Sequence, residues 1–285
     1  MEMAREYHLE PISNLAVAIA YDGGDFYGYA RQDVLRTVQG SFEEALATLA
    51  DGPFKTAVAG RTDRGVHALS QVISVSFAQA QNFDLAKVQR SLDRLTPRSI
   101  SILSVKAAPA EFHARFSAVA RRYRYLISSA PVELPHDRRI SWNLGAPIDL
   151  AALECASTML IGEHDFSTFC RRDPNAGSLI RLVNEVAVVK AGRSLFGFEI
   201  DANAFCHQMV RSLVGFLALV ATGRRDPVDF GKALLAKDRS KGENLAPPEG
   251  LFLTAVRYRE PFIDLNVVDD MDYPVLWKSR HPEIG

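Results

Sequence analysis

K-T-A-V-A-G-R-T-D-R-G-V-H-A-L-S-Q-V-I-S-V-S-F, Lys55 to Phe77, decides how the rest of this chain is read. Its first residues, Lys55 to Ala59, read as extended. At its far end Ile73, Val75 and Phe77 alternate with Ser74 and Ser76, the period of a half-buried strand. The connection between them is about ten residues, longer than a tight hairpin of two to five. Long loops held by rigid strands are favoured places for binding and catalytic groups. This one carries a single acid, Asp63, among Arg61, Arg64, Gly60 and Gly65. The glycines permit backbone approaches denied to bulkier residues. The guanidinium groups favour a neighbouring carboxylate and could meet a phosphate. A solvated Arg-Asp surface turn fits the same spacing, so the spacing leaves both readings open.

Outward from this loop the chain repeats one pattern of elements. Leu15 to Tyr21 reads as a strand, and Val38 to Ala50 as a helix with Val38, Phe42, Leu46 and Leu49 on one face. After the two strands flanking the loop, Leu85 to Leu95 reads as a helix capped by Asp84, with Leu85, Val88, Leu92 and Leu95 inward. Pro97 ends it, and Ile100 to Lys106 is a further strand. The order β-α-β-β-α-β is ferredoxin-like.

From Tyr123 the order recurs. Tyr123 to Ser128 reads as a strand, followed by a helix from Asp149 ending near Gly162. Leu182 to Lys190 and Leu195 to Asp201 form a hairpin around Gly192. Phe205 to Thr222 is a long apolar helix stopped by Gly223, then a short helix opens at Asp226-Pro227. Leu251 to Arg257 is the last strand. The expected architecture is α/β (α+β): two ferredoxin-like halves side by side, joined near residues 107 to 120, with a cleft between their sheets. The expected boundaries are 1–110, 111–260 and a tail at 261–285, in which no motif is legible.

The bulk composition narrows the classes. With 285 residues, 47% hydrophobic and 24% charged, the chain has the composition of a globular protein with a substantial core. Cys155, Cys170 and Cys206 are odd in number and widely spaced, which argues for a reducing cytoplasm and against a disulfide framework or structural zinc. The N-terminus shows no apolar signal region, and the longest apolar run, Leu213 to Ala221, is far short of a bilayer span. A cytoplasmic protein without membrane partners is therefore expected. The net charge of −1 does not advertise nucleic-acid binding. Basic residues nevertheless cluster at Arg121-Arg122-Arg124, Arg138-Arg139, Arg171-Arg172, Arg224-Arg225 and Lys237-Arg239-Lys241. Such clusters either build a local basic track or are solvated faces, and charge does not decide between them.

G-R-T-D-R-G-V-H-A (Gly60 to Ala68) resembles the signature of the tRNA pseudouridine synthase A (TruA) family. Y-D-G-G-D-F-Y-G-Y (Tyr21 to Tyr29) and R-T-V-Q-G (Arg36 to Gly40) resemble that family's N-terminal pattern. F-H-A-R-F-S-A-V-A-R-R-Y-R-Y (Phe112 to Tyr125), A-F-C-H-Q-M-V-R-S-L-V-G (Ala204 to Gly215), A-K-D-R (Ala236 to Arg239) and P-P-E-G-L-F-L-T-A-V (Pro247 to Val256) follow in the family's order. Two departures stand out: Tyr29 where the family usually has Trp, and Arg64 where it usually has Ala. Both bear on expected RNA contacts.

The resemblance implies isomerisation of uridine to pseudouridine at positions 38, 39 and 40 of the tRNA anticodon stem-loop, by a homodimer that needs no cofactor or metal. It implies a combined, mainly antiparallel sheet with helices on one side and a central catalytic cleft, with Asp63 as the catalytic aspartate and Arg211 as its partner. Tyr123 matches the active-site tyrosine on which the uracil would stack, and Arg61 the arginine that helps extrude the base. The residues also admit blander roles. Tyr123 and Tyr125 share a strand face and could be core, and Arg61 could be a plain phosphate contact. His67, His113 and His207 read as packing or hydrogen-bonding residues. Glu163-His164-Asp165 is a weak hint of a metal-dependent phosphohydrolase, since no histidine pair has ligand spacing. A non-catalytic RNA-binding protein is the other rival, because paired ferredoxin-like units also make RNA-binding sheets. Such a protein has no need of Asp63.

Overall fold

A computed structural model describes residues 11–171 and 177–259; the tail expected at 261–285 lies outside them. The elements run β1 (Ile12–Tyr21), α1 (Val38–Ala47), β2 (Phe54–Val58), β3 (His67–Gln81), α2 (Leu85–Leu95), β4 (Ile100–Ala107) and β5 (Ala118–Ser128). They continue with β6 (Trp142–Asn143), α3 (Leu150–Thr158), β7 (Gly162–Asp165), β8 (Ile180–Lys190), β9 (Leu195–Ala202), α4 (Met209–Ala221), α5 (Pro227–Ala236) and β10 (Leu251–Tyr258).

The strands form one sheet in the order β4-β1-β3-β10-β5-β9-β8-β7, with β2 paired to β3 and β6 to β5. Within it the ferredoxin-like order occurs twice, as β4-β1-β3-β2 and as β10-β5-β9-β8. Pairing is antiparallel inside each unit. The units meet where β3 and β10 run parallel, His67 opposite Phe252 and Ala68 opposite Leu253. The imidazole of His67 stacks on the Phe252 ring at 4.6 Å, so the register is reinforced at the seam.

Local sequence explains most boundaries. Thr37, Asp84, Asp149 and Asp226 each accept a backbone N–H at the start of α1, α2, α3 and α5. Helix α1 buries Val38, Phe42 and Leu46, each side chain contributing about 1.5–3 kcal/mol by leaving water. It ends at Ala47, short of the expected Ala50. Leu95, expected inward, is half exposed at the end of α2, while Val88 and Leu92 are buried. Leu15 through Ile19 are wholly buried, so both faces of β1 are covered.

Three differences from the sequence reading have physical causes. Helix α4 begins at Met209 rather than Phe205, because Gln208 adopts a left-handed conformation (φ 65°) that breaks the apolar run. Helix α3 ends at Thr158, ahead of a β-strand that opens at Gly162. The cysteines supply the third: Cys170 and Cys206, widely spaced in sequence, are brought side by side, their Cα atoms 5.8 Å apart. Arg171 N–H donates to the carbonyl of His207 at 2.9 Å beside them, so packing brings together two segments far apart in sequence.

Candidate active site

Asp63 sits in the loop between β2 and β3, beside the seam of the two units. Three side chains hold this loop from beneath. The hydroxyls of Tyr21 and Thr62 are 2.8 Å apart, and Gln71 Nε2 donates to the carbonyl of Gly60 at 2.7 Å. Burial pushes the Tyr21 phenol up to about 12, despite its bonds to Thr62 and Gln71, so it stays a neutral hydroxyl. The third is Arg121, buried, whose guanidinium donates to the carbonyl of Ala59 through both Nε (3.3 Å) and Nη2 (3.0 Å).

The same Arg121 also donates to the carbonyls of Arg115 (2.6 Å), Ala118 (3.2 Å) and Asn203 (2.9 Å). It thus ties the aspartate loop to the segment that leads into α4. Glycine freedom is required at Gly65 (φ 81°), where a Cβ would also stand 2.9 Å from Pro248. Gly60 makes no such demand: a Cβ there would lie at an ordinary 3.6 Å from the Tyr123 hydroxyl.

The four residues singled out from the sequence fall into two groups. Asp63, Arg211 and Tyr123 come together. Arg211, on the first turn of α4, places Nη1 3.1 Å from Asp63 Oδ2, while its Nε donates to the carbonyl of Ala246 at 2.8 Å. The arginine is thereby fixed at both ends, and its side chain is only 13% exposed against 29% for Asp63. Tyr123 is buried beside them, its ring edge-on to Phe205 at 4.8 Å. Burial raises its phenol well above the ordinary value, with Tyr21 and the Asp63 carboxylate adding to the effect. Its hydroxyl has no hydrogen-bond partner among the described residues. Tyr125, by contrast, is fully buried and donates to the carbonyl of Pro247 at 2.7 Å.

Arg61 does not join this cluster. It is exposed and has no carboxylate within ion-pair distance among the described residues. His207 is the residue whose position the sequence undervalued: its Nε2 lies 3.4 Å from Asp63 Oδ1, opposite Arg211. Its place in A-F-C-H-Q-M-V-R, four residues before Arg211, was the available signal. His67 is a packing residue: buried, stacked on Phe252, with Nδ1 accepting from the N–H of Gly23 at 3.1 Å.

The basic cluster Arg121-Arg122-Arg124 is no free surface track. Arg122 pairs with Glu185 at 2.6 Å, and the buried Arg124 with Glu199, Nε to Oε1 at 2.7 Å. Tyr29, where an RNA contact was expected, is only 2% exposed and belongs to the core. Among the described residues no group of three or more His, Cys, Asp or Glu side chains could hold a metal ion. None of their helices is long and apolar enough to cross a membrane. Two surface depressions, of about 430 and 560 Å³, lie away from Asp63; the first is bordered by Phe216 and Arg225, the second by Arg31 and Glu43.

A carboxylate clasped by an arginine beside a buried aromatic ring suits chemistry on a planar substrate that must be gripped and kept from water. Comparison with known proteins narrows that class. A model of the family described as "tRNA pseudouridine synthase" matches residues 17–117 and 156–259. A tRNA pseudouridine synthase A from Methylococcus capsulatus is 39% identical over 251 residues, covering 87% of this chain and 90% of that protein. Proteins of the same name from Listeria innocua and Chloroflexus aurantiacus are 39% and 40% identical, covering 84% and 86% of this chain and 97% and 88% of theirs.

Proposed function

This chain belongs to the tRNA pseudouridine synthase family, and from that premise we propose that Asp63 is the catalytic carboxylate with which it isomerises uridine in tRNA. The reaction breaks the bond between ribose C1′ and uracil N1, turns the base, and joins C1′ to C5. A proton leaves C5 and one arrives at N1, so no electrons or external groups are exchanged. The chain's own residues need only supply a carboxylate at the reacting centre, hold the detached base and exclude water.

The observation that carries this reading is the Asp63–Arg211 ion pair at 3.1 Å, made by residues from the two different units. Arg211 fixes the rotamer of the carboxylate through a charge-assisted hydrogen bond. Tyr123 offers the aromatic platform for an extruded uracil, and Arg61, free of acidic partners, is the residue that enters the RNA stack as the base leaves. The expected substrate is uridine at positions 38, 39 and 40 of the anticodon stem-loop. The expected assembly is a cytoplasmic homodimer across which one tRNA lies, and the proposed units are 1–110 and 111–260.

The test is turnover on an unmodified tRNA transcript by wild type and Asp63→Asn, in EDTA, with pseudouridine mapped by chemical labelling and primer extension. Product at the three positions from wild type alone supports the reading. Equal product from both proteins removes Asp63 from the chemistry, and product elsewhere in the tRNA overturns the assigned sites. Light scattering of the purified protein decides between monomer and dimer.

A further inference from the structure

We infer that Tyr27 and Arg64 form a preorganised phosphate contact for the RNA strand immediately beside the target uridine, a contact that rests on the tRNA reading above. The Arg64 guanidinium lies 4.4 Å from the centroid of the Tyr27 ring. Tyr27 is 43% exposed and Arg64 is exposed, so the stacked pair faces solvent rather than filling the core. Two other surface arginines near these loops are neutralised: Arg31 by Glu43, and Arg139 by Asp22 and Asp25. No carboxylate lies within ion-pair distance of Arg64 among the described residues.

The place of the pair is fixed by close backbone packing. Tyr29 N–H donates to the carbonyl of Thr62 at 3.1 Å. At Gly28 (φ 97°) a Cβ would stand 3.2 Å from Thr62 O, 3.3 Å from Arg64 N and 3.4 Å from the carbonyl carbon of Asp63. The Tyr27 segment is therefore laid directly along residues 62–64, and the stacked arginine stands one residue from Asp63. Arg36 and Arg61, also exposed and without a carboxylate at ion-pair distance among the described residues, belong to the same two stretches of chain. This is where a near-neutral protein keeps cations available for a polyanion.

The chemistry favours phosphate over a base edge. A guanidinium held over a ring face spends none of its N–H donors on that contact, and its planar fork matches two phosphate oxygens. The tyrosine restrains a side chain that would otherwise lose rotamer freedom on binding, so affinity is gained by prior ordering.

The test measures the Kd of an unmodified tRNA transcript over a series of KCl concentrations for wild type, Arg64→Ala, Arg64→Lys and Tyr27→Leu. Arg90→Ala, an exposed charge on α2, controls for net charge. Neutralising one phosphate contact should lower the slope of log Kd against log salt by about 0.7–0.9 in Arg64→Ala and weaken binding roughly fivefold. Arg64→Lys and Tyr27→Leu keep the charge, so each should retain the wild-type slope while weakening binding about two- to threefold. An Arg64→Ala slope equal to that of wild type, or a drop matched by Arg90→Ala, overturns the phosphate contact. A Tyr27→Leu Kd equal to that of wild type overturns the preorganisation. Pseudouridine formation by wild type in the same samples separates the two levels: product with unchanged slopes sinks only this contact, whereas neither binding nor product sinks the tRNA reading itself.

Discussion

Arg211 Nη1 and Asp63 Oδ2 lie 3.1 Å apart although the residues are 148 positions apart in the chain. Arg211 comes from the second ferredoxin-like unit and Asp63 from the first, so the proposed catalytic group is complete only when both units are folded against each other. Its Nε donates to Ala246 O, which leaves the guanidinium little freedom to follow a displaced carboxylate.

Asp63→Asn should therefore bind tRNA with near-native affinity and lose turnover by on the order of 10³-fold or more, because the amide keeps the shape and loses the carboxylate. Arg211→Gln should lose turnover by about 10²-fold through a misplaced Asp63. His207→Gln, which keeps a polar side chain near the opposite oxygen, should cost less than tenfold. Single-turnover rates at saturating enzyme, set beside Kd values, check the order; a His207 effect larger than that of Arg211 would reverse the assignment.

Arg121 makes a second prediction. Its guanidinium serves carbonyls of Ala59, Arg115, Ala118 and Asn203, with no carboxylate partner among the described residues. Removing it leaves several acceptors in a water-poor place, each worth about 1–3 kcal/mol. Arg121→Gln should lower the thermal midpoint by on the order of 10 °C. It should also slow turnover below the melting range, since the Ala59 peptide leads directly into the Asp63 loop. A variant that melts early yet turns over at the wild-type rate at low temperature would confine Arg121 to stability.

The alternating strands and capped helices were legible in the sequence because each is set by neighbours within a few residues. Asp84 and Asp149 cap as their positions foretell, and the twofold βαββαβ order follows from those elements. What escaped depends on distant partners. Arg122 and Arg124 read as a basic cluster because Glu185 and Glu199, which neutralise them, lie on other strands. The Cys170–Cys206 approach spans 36 residues and has no spacing signature. The start of α4 was misplaced because Phe205 is apolar in step with the helix that follows, yet packs on Tyr123 from the loop. At the candidate site, Asp63, Arg211 and Tyr123 were legible through motifs, whereas the bond network of Arg121 was not.

Tyr29 supplies a stability prediction of the opposite sign. The side chain is 2% exposed, and its hydroxyl is buried with no hydrogen-bond partner among the described residues. Burial drives its phenol well above the ordinary range, so the group remains an unsatisfied neutral donor. Tyr29→Phe removes the hydroxyl while preserving the ring packed 6.5 Å from that of Tyr21. The variant should gain up to about 1 kcal/mol, or roughly 2–4 °C in thermal midpoint. A lower midpoint than wild type in calorimetry would mean that the hydroxyl is satisfied in solution.

The last prediction concerns acid stability and follows from His67. Burial lowers its pKa; the nearby Asp22 carboxylate and the backbone of Arg139 and Glu249 pull the other way without prevailing, and the Arg139 charge, the smallest influence, adds to the lowering. Nδ1 accepts the Gly23 N–H, so the folded protein holds the ring neutral at that nitrogen. In the unfolded chain the imidazole takes a proton as pH falls through about 6.5. The folded state resists that proton until a lower pH, so stability is fully present above the unfolded value and declines as pH drops towards the folded one. The carboxylate of Asp25, lowered chiefly by its bond to Arg139, titrates below this window and does not mask it. The thermal midpoint should fall between about pH 7 and 5.5. His67→Gln can still accept from Gly23 but cannot titrate, so it should be less stable at pH 7.5 and show a flatter midpoint across the window. Parallel profiles for the two proteins would assign the acid sensitivity to another group.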